Sequence, residues 1–129
     1  MKKIGRWMLQ CGYNTDITYG GYFSDGLRVG PWKLPIYNYW KRSQPIVYEV
    51  GEYCDDQKQG RWNYIMNNQI IGGGYYEEEC TGLKTGNWIE LDDDINNLGQ
   101  VIQEGQYMKG NKVGVWRKLK KVYQQNYIH

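Results

Sequence analysis

The stretch "GQYMKGNKVGVW", Gly105 to Trp116, puts three glycines, a tyrosine, two lysines and a tryptophan into one short run. Related runs occur elsewhere: "GYFSDGLRVGPW" from Gly21 to Trp32, "GEYCDDQKQGRW" from Gly51 to Trp62, and "GYYEEECTGLKTGNW" from Gly74 to Trp88. "KIGRW", Lys3 to Trp7, is the second half of a further copy. A motif that recurs in this way specifies one structural unit repeated along the chain.

Each copy reads as a β-hairpin. Asp25-Gly26 and Lys109-Gly110 are two-residue turns in which glycine supplies the positive φ, and Asp55-Asp56 holds the same place in a third copy. Counting back from the turns sets Gly21 opposite Gly30, Gly51 opposite Gly60 and Gly105 opposite Gly114, with Tyr19 opposite Trp32. Opposed residues share a face of the sheet. One face should therefore carry the paired glycines and three rows of side chains. An aromatic row comprises Phe23, Tyr53, Tyr76 and Tyr107, and a basic row comprises Arg28, Lys58, Lys84 and Lys112. A tryptophan row comprises Trp32, Trp62, Trp88 and Trp116. The glycines leave a bare floor over which the rings can lie, and the lysine stems can pack along the rings. The other face, with Glu52, Gln59, Arg61 and Asn63, reads as polar.

The tryptophans are spaced by 25, 30, 26 and 28 residues. Lead-in strands at 44–53, 68–76 and 100–107 connect the copies, and the longest link, Pro35 to Pro45, holds the unmatched Trp40. The expected fold is all-β: an elongated, single-layer antiparallel meander of successive hairpins. It forms one array, with a half repeat at 3–10 and repeats at about 17–34, 46–65, 70–91 and 101–119, as part of a longer chain or assembly. Each unit contacts only its neighbours.

Composition agrees with this. The 129 residues include 17 glycines and no alanine, and 16% are aromatic, a balance that favours strands over helices. A net charge of +2 does not argue for nucleic acid. Cys11, Cys54 and Cys80 have no metal-ligand spacing, and their odd number points to reduced thiols in an intracellular, cytoplasmic setting. No apolar run has the length of a transmembrane helix, and the N-terminus lacks the apolar stretch of a signal peptide.

The pattern Gly-x-Tyr-x-x-Gly-x-Lys-x-Gly-x-Trp resembles MORN repeats, in the variant found in bacterial antitoxin-like proteins and in many ciliate proteins. The resemblance runs from Lys3 to about Leu119. Asp56 in place of the turn glycine and the expanded acidic turn of the 74–88 copy depart from it. It implies a gently curved single-layer sheet and a scaffold or adaptor role in protein–protein assembly at the cytoskeleton, in cilia or at membranes. A phosphoinositide-binding role and an antitoxin-like role are its alternatives. It implies no catalytic residues and no cofactor.

Catalytic chemistry has little material. His129 is the only histidine, and Ser24 and Ser43 are the only serines, so no Ser-His or Cys-His pair can be assembled from the repeats. Glu77–Glu79 falls in a hairpin turn and Asp92–Asp94 in a linking turn. Neither has the ligand spacing of a calcium loop, and both read as solvated. Gly72–Gly74 is not followed by a helix signal, so it reads as sheet floor rather than a phosphate loop. The basic run Arg117, Lys118, Lys120 and Lys121 reads as a protected edge strand, or else as a contact for acidic lipid or an acidic partner.

A single layer cannot bury both faces, so the aromatic and basic rows, expected to be partly exposed, are the candidate partner-binding surface. The second candidate is the sheet edge at Lys2–Trp7. It lacks its hairpin mate and should be covered by another segment.

Overall fold

A computed structural model describes the backbone of residues 5–10, 18–36, 40–41, 44–45, 47–96 and 99–121. The strands are β1 (Gly5–Gln10), β2 (Thr18–Ser24), β3 (Leu27–Pro35), β4 (Trp40–Lys41), β5 (Gln44–Pro45), β6 (Tyr48–Cys54), β7 (Gln57–Met66), β8 (Gln69–Tyr76), β9 (Lys84–Asn96), β10 (Gly99–Met108) and β11 (Asn111–Lys121). Nine of them form one open antiparallel sheet in the order β1-β2-β3-β6-β7-β8-β9-β10-β11. β4 and β5, inside the long link that contains Trp40, form a separate two-stranded ribbon. The architecture is the all-β, single-layer hairpin meander read from the repeats.

The turns follow from residues that accept positive φ. Asp25 and Gly26, Asp55 and Asp56, Asn67 and Asn68, and Lys109 and Gly110 all have positive φ in pairs. This is the type I′ geometry that matches strand twist. Beyond the turns the aromatic and basic residues pair as expected: Phe23 with Arg28, Tyr53 with Lys58, Tyr76 with Lys84, and Tyr107 with Lys112.

The register then departs from the simple count. Val50 pairs with Asn63 and Glu52 with Gln59, so the single residue Gly51 faces the run Gly60–Trp62. Gly21 faces Gly30–Trp32, Gly74 faces Gly86–Trp88 and Gly105 faces Gly114–Trp116 in the same way. The two glycines of a hairpin are therefore not a facing pair, and Lys33 rather than Trp32 approaches the strand position next to Tyr19. Each tryptophan strand has a bulge two residues long. Gly30, Gly60, Gly86 and Gly114 carry it, with φ between 68° and 72°, a left-handed conformation that disfavours a side chain. The bulge swings the tryptophan back over its own hairpin.

Two further expectations are corrected. Asp92–Asp94 lies within β9, not in a linking turn, because that strand continues to Asn96; Val101 faces the three aspartates across another register shift. Cys54 and Cys80 are joined as a disulfide, with Cα atoms 5.2 Å apart, so these two are not free thiols. Their positions differ within the repeat, yet the expanded 77–83 turn brings Cys80 beside the tip of the preceding hairpin. Cys11 lies outside the described residues. Among the described residues no helix is long and apolar enough to cross a membrane.

Candidate functional site: the aromatic and basic face

The floor of the face is one glycine per hairpin. A Cβ placed on Gly21 would lie 2.6 Å from the indole Cγ of Trp32, and one on Gly51, Gly74 or Gly105 would collide with Trp62, Trp88 or Trp116. The indole lies flat on backbone because nothing stands between. Its N–H then reaches the carbonyl of the residue after the floor glycine: Trp32 to Tyr22 at 3.0 Å, Trp62 to Glu52 at 3.0 Å, Trp88 to Tyr75 at 3.0 Å and Trp116 to Gln106 at 3.2 Å. This hydrogen bond depends on the bulge, which hairpin counting did not anticipate.

Rings alternate along the sheet in edge-to-face contacts. Phe23, Trp32, Tyr53, Trp62, Tyr76, Trp88, Tyr107 and Trp116 follow one another with centroids 5.0 to 6.4 Å apart. Each internal tryptophan is held between its own tyrosine or phenylalanine and that of the next hairpin. As a result the rings are the core, not an exposed patch: Trp62 and Trp88 are 2% and 1% exposed, and Trp32, Tyr53 and Tyr76 are also buried. The expectation of a partly exposed aromatic row holds only at the ends of the ladder, where Phe23, Tyr107 and Trp116 are half-buried.

The basic row roofs these rings. Lys58, Lys84 and Lys112 place their ammonium groups 4.5, 4.7 and 4.5 Å from the centroids of Trp62, Trp88 and Trp116. The Arg28 guanidinium lies 4.2 Å from the Tyr53 centroid and donates to its hydroxyl. Each cation also has a carboxylate. Lys58 pairs with Glu49 at 2.7 Å and Arg28 with Asp56 at 2.8 Å. Glu90 takes Lys84, the Tyr107 hydroxyl at 2.7 Å, and Lys112 at 3.7 Å. The energies differ in scale. A partly exposed ion pair contributes about 0–1 kcal/mol, whereas burying a tryptophan's roughly 200 Å² contributes about 5 kcal/mol. The rings hold the array together, and the ion pairs set the charge of its surface.

Burial raises the hydroxyl pKa of Tyr64, Tyr76 and Tyr107 above the ordinary tyrosine value, with the Glu90 hydrogen bond adding to the effect at Tyr107. Burial also raises that of Tyr53, and the Arg28 charge opposes it. Hydrogen bonds from Arg28 lower the pKa of the Asp56 carboxyl.

Asp56 explains the departure from a turn glycine. It accepts from the Arg28 backbone N–H at 2.9 Å and from Arg28 Nε at 2.8 Å, and its own N–H donates to the Arg28 carbonyl at 2.9 Å. The tip of one hairpin is thus tied to the strand before it. Gly110 N–H to the Lys84 carbonyl repeats the backbone part of this tie at 2.9 Å. Between these two ties stands the expanded turn, where the Cys54–Cys80 disulfide makes the connection instead.

Between the hairpin tips lies a groove of about 510 Å³, bordered by Asp56, Lys58, Tyr76, Leu83 and Lys84. Among the described residues no group of three or more His, Cys, Asp or Glu side chains could hold a metal ion. Glu77 accepts from the Thr81 hydroxyl at 3.1 Å, within its own turn. Gly72 and Gly73 abut the backbone of Ile89 and Trp62, and Gly74 lies under Trp88, so the triplet is sheet floor. The side chains of Asp92–Asp94, Lys120 and Lys121, and residues Lys2 and Lys3, lie outside the described set. The chain matches no family model, no curated protein and no solved structure among those with which it was compared.

Proposed function

We propose that this chain is a MORN-type, non-enzymatic β-repeat scaffold that mediates protein–protein assembly, in a cytoskeletal or ciliary complex. One observation carries the reading: the side chains best suited to chemistry on the aromatic face are engaged with one another. The rings fill the core, and the four basic residues above them face Asp56, Glu49 and Glu90. Such a face supports a rigid array whose contacts with other molecules are made at its edges and on its outward residues. Tyr22, Tyr75 and Met108 are 48%, 51% and 63% exposed, and tyrosine and methionine are enriched at protein interfaces. The edge formed by β1 belongs to the same proposal, as a strand covered by another chain segment in the assembled state.

The internal carboxylates also weigh against the alternative of acidic-lipid binding through the basic row, since each cation already has an anion beside it. The test is affinity purification of the native protein from its own cells, with vesicle flotation in parallel using neutral vesicles and vesicles containing acidic phospholipid. Recovery of defined protein partners at stoichiometric levels, without flotation, is expected. A chain that purifies alone and floats with acidic vesicles in a salt-sensitive manner overturns the scaffold reading.

A further inference from the structure

The ring ladder stops half-made at β11. Trp32, Trp62 and Trp88 each lie between two rings. Trp116 meets Tyr107 on one side, and among the described residues no ring lies against its other side. It is half-buried where Trp62 and Trp88 are fully buried. β11 is also an outer strand of the sheet, paired only with β10 among the described strands.

The chain shows four times what covers such a strand. At every junction the tryptophan pairs with a glycine and the bulge glycine two residues earlier pairs with an aromatic residue. These pairs are Trp7–Gly21 with Gly5–Phe23, Trp32–Gly51 with Gly30–Tyr53, Trp62–Gly74 with Gly60–Tyr76, and Trp88–Gly105 with Gly86–Tyr107. Three residues past the tryptophan, Pro35 meets Tyr48, Ile65 meets Ile70 and Leu91 meets Ile102, while at the first junction Gln10 meets Thr18. Transferred to β11, the rule places an aromatic residue opposite Gly114, a glycine opposite Trp116 and an apolar residue opposite Leu119. Two residues lie between the last two, opposite Arg117 and Lys118.

We infer that the outer edge of β11 is a strand-acceptor site for a partner segment of the form apolar-x-x-Gly-x-Tyr/Phe, which adds as a tenth strand and closes the ring ladder over Trp116. A strand added to an open edge gains affinity from main-chain hydrogen bonds and specificity from alternate side chains. A second copy does not fit as the occupant. The outer strands it offers, β1 and β11, have their glycines, Gly5 and Gly114, at φ +102° and +69°, whereas the glycines that face tryptophans at the internal junctions are not left-handed. This inference deepens the scaffold reading and rests on it.

The probe is a fluorescein-labelled peptide with the sequence of residues 46–53, IVYEVGEY, which has the required form. It is titrated into the full chain and followed by anisotropy, with amide hydrogen exchange measured on the same mixture. A control peptide has valine for its glycine and the same charge. Saturable binding at least tenfold weaker for the control, with new protection at residues 111–121, is expected. Equal binding of both peptides shows mere charge attraction and overturns the site. New protection at residues 5–10 instead of β11 does the same. So does absence of binding, whether because residues 122–129 or a second copy already protect β11 or because the edge takes no strand. If protein partners co-purify and the peptide still fails, only the β11 site falls; if nothing co-purifies, the scaffold reading falls first.

Discussion

Gly51 lies directly beneath the indole of Trp62, and the indole N–H donates to the carbonyl of Glu52, the next residue. One missing side chain thus creates both the space for the ring and the approach for its hydrogen bond. The second glycine of the same hairpin, Gly60, has open space around its Cβ position but a φ of +68°. The two glycines are required for different reasons, and substitutions should separate them.

Gly51→Ala puts a methyl group into the indole and should cost about 1–3 kcal/mol, as overpacking does. Gly60→Ala meets no atom and should cost about 1–2 kcal/mol through its left-handed backbone. Asn tolerates that conformation, so Gly60→Asn should recover much of the loss, while Gly51→Asn should be worse than Gly51→Ala. Thermal unfolding of the four variants reads this directly. Equal melting temperatures for Gly60→Ala and Gly60→Asn would refute the backbone explanation.

Trp62→Phe removes a buried donor and part of a ring held between Tyr53 and Tyr76. It should destabilise by about 2–4 kcal/mol, combining lost burial with an unsatisfied Glu52 carbonyl. Trp116→Phe, at the half-covered end of the ladder, should cost less than half as much. Urea unfolding midpoints compare the two at similar m-values.

The Cys54–Cys80 disulfide closes a loop with a sequence separation of 26. By loop-closure entropy it should contribute about 3.5 kcal/mol. Both thiols should resist alkylation in the folded chain until a reductant is added, as mass spectrometry after trypsin digestion can show. Reduction should lower the melting temperature of the wild type and leave the Cys54→Ser/Cys80→Ser variant unchanged. Alkylation of both cysteines without reductant would sink the pairing.

Alkaline pH should unfold the array. The raised folded-state pKa values of Tyr64, Tyr76 and Tyr107 arise mainly from burial. Their stabilising effect is complete below the unfolded tyrosine value of 10.0 and declines as pH rises above it. Ionisation followed at 295 nm should therefore show a cooperative phase that coincides with loss of the ring-coupled circular dichroism. Tyr76→Phe should move that phase to higher pH. A non-cooperative titration of all tyrosines, with the fold intact, would count against burial as the cause.

Much of this molecule could be read along the chain. Hairpins, turn positions and the pairing of Tyr107 with Lys112 depend on residues a few places apart. For these, glycine and aspartate conformations and the two-residue period of a strand are sufficient. Even so, the count from each turn failed at Gly60, because a bulge alters register without leaving a composition signal of its own. The indole-to-carbonyl bond is not legible along the chain for the same reason.

What only the tertiary structure decided involves contacts between hairpins. Burial of Trp62 depends on Tyr76 arriving from the next strand pair, and no local pattern states how close it comes. Asp56 looked like a defect in the turn until Arg28 of the neighbouring hairpin lay against it. Cys54 and Cys80 hold different positions in their repeats, and only the packing of one hairpin on the next brings them together. Sequence determines the unit because its interactions are local, while coverage, charge compensation and disulfide pairing are set by how one unit packs on the next.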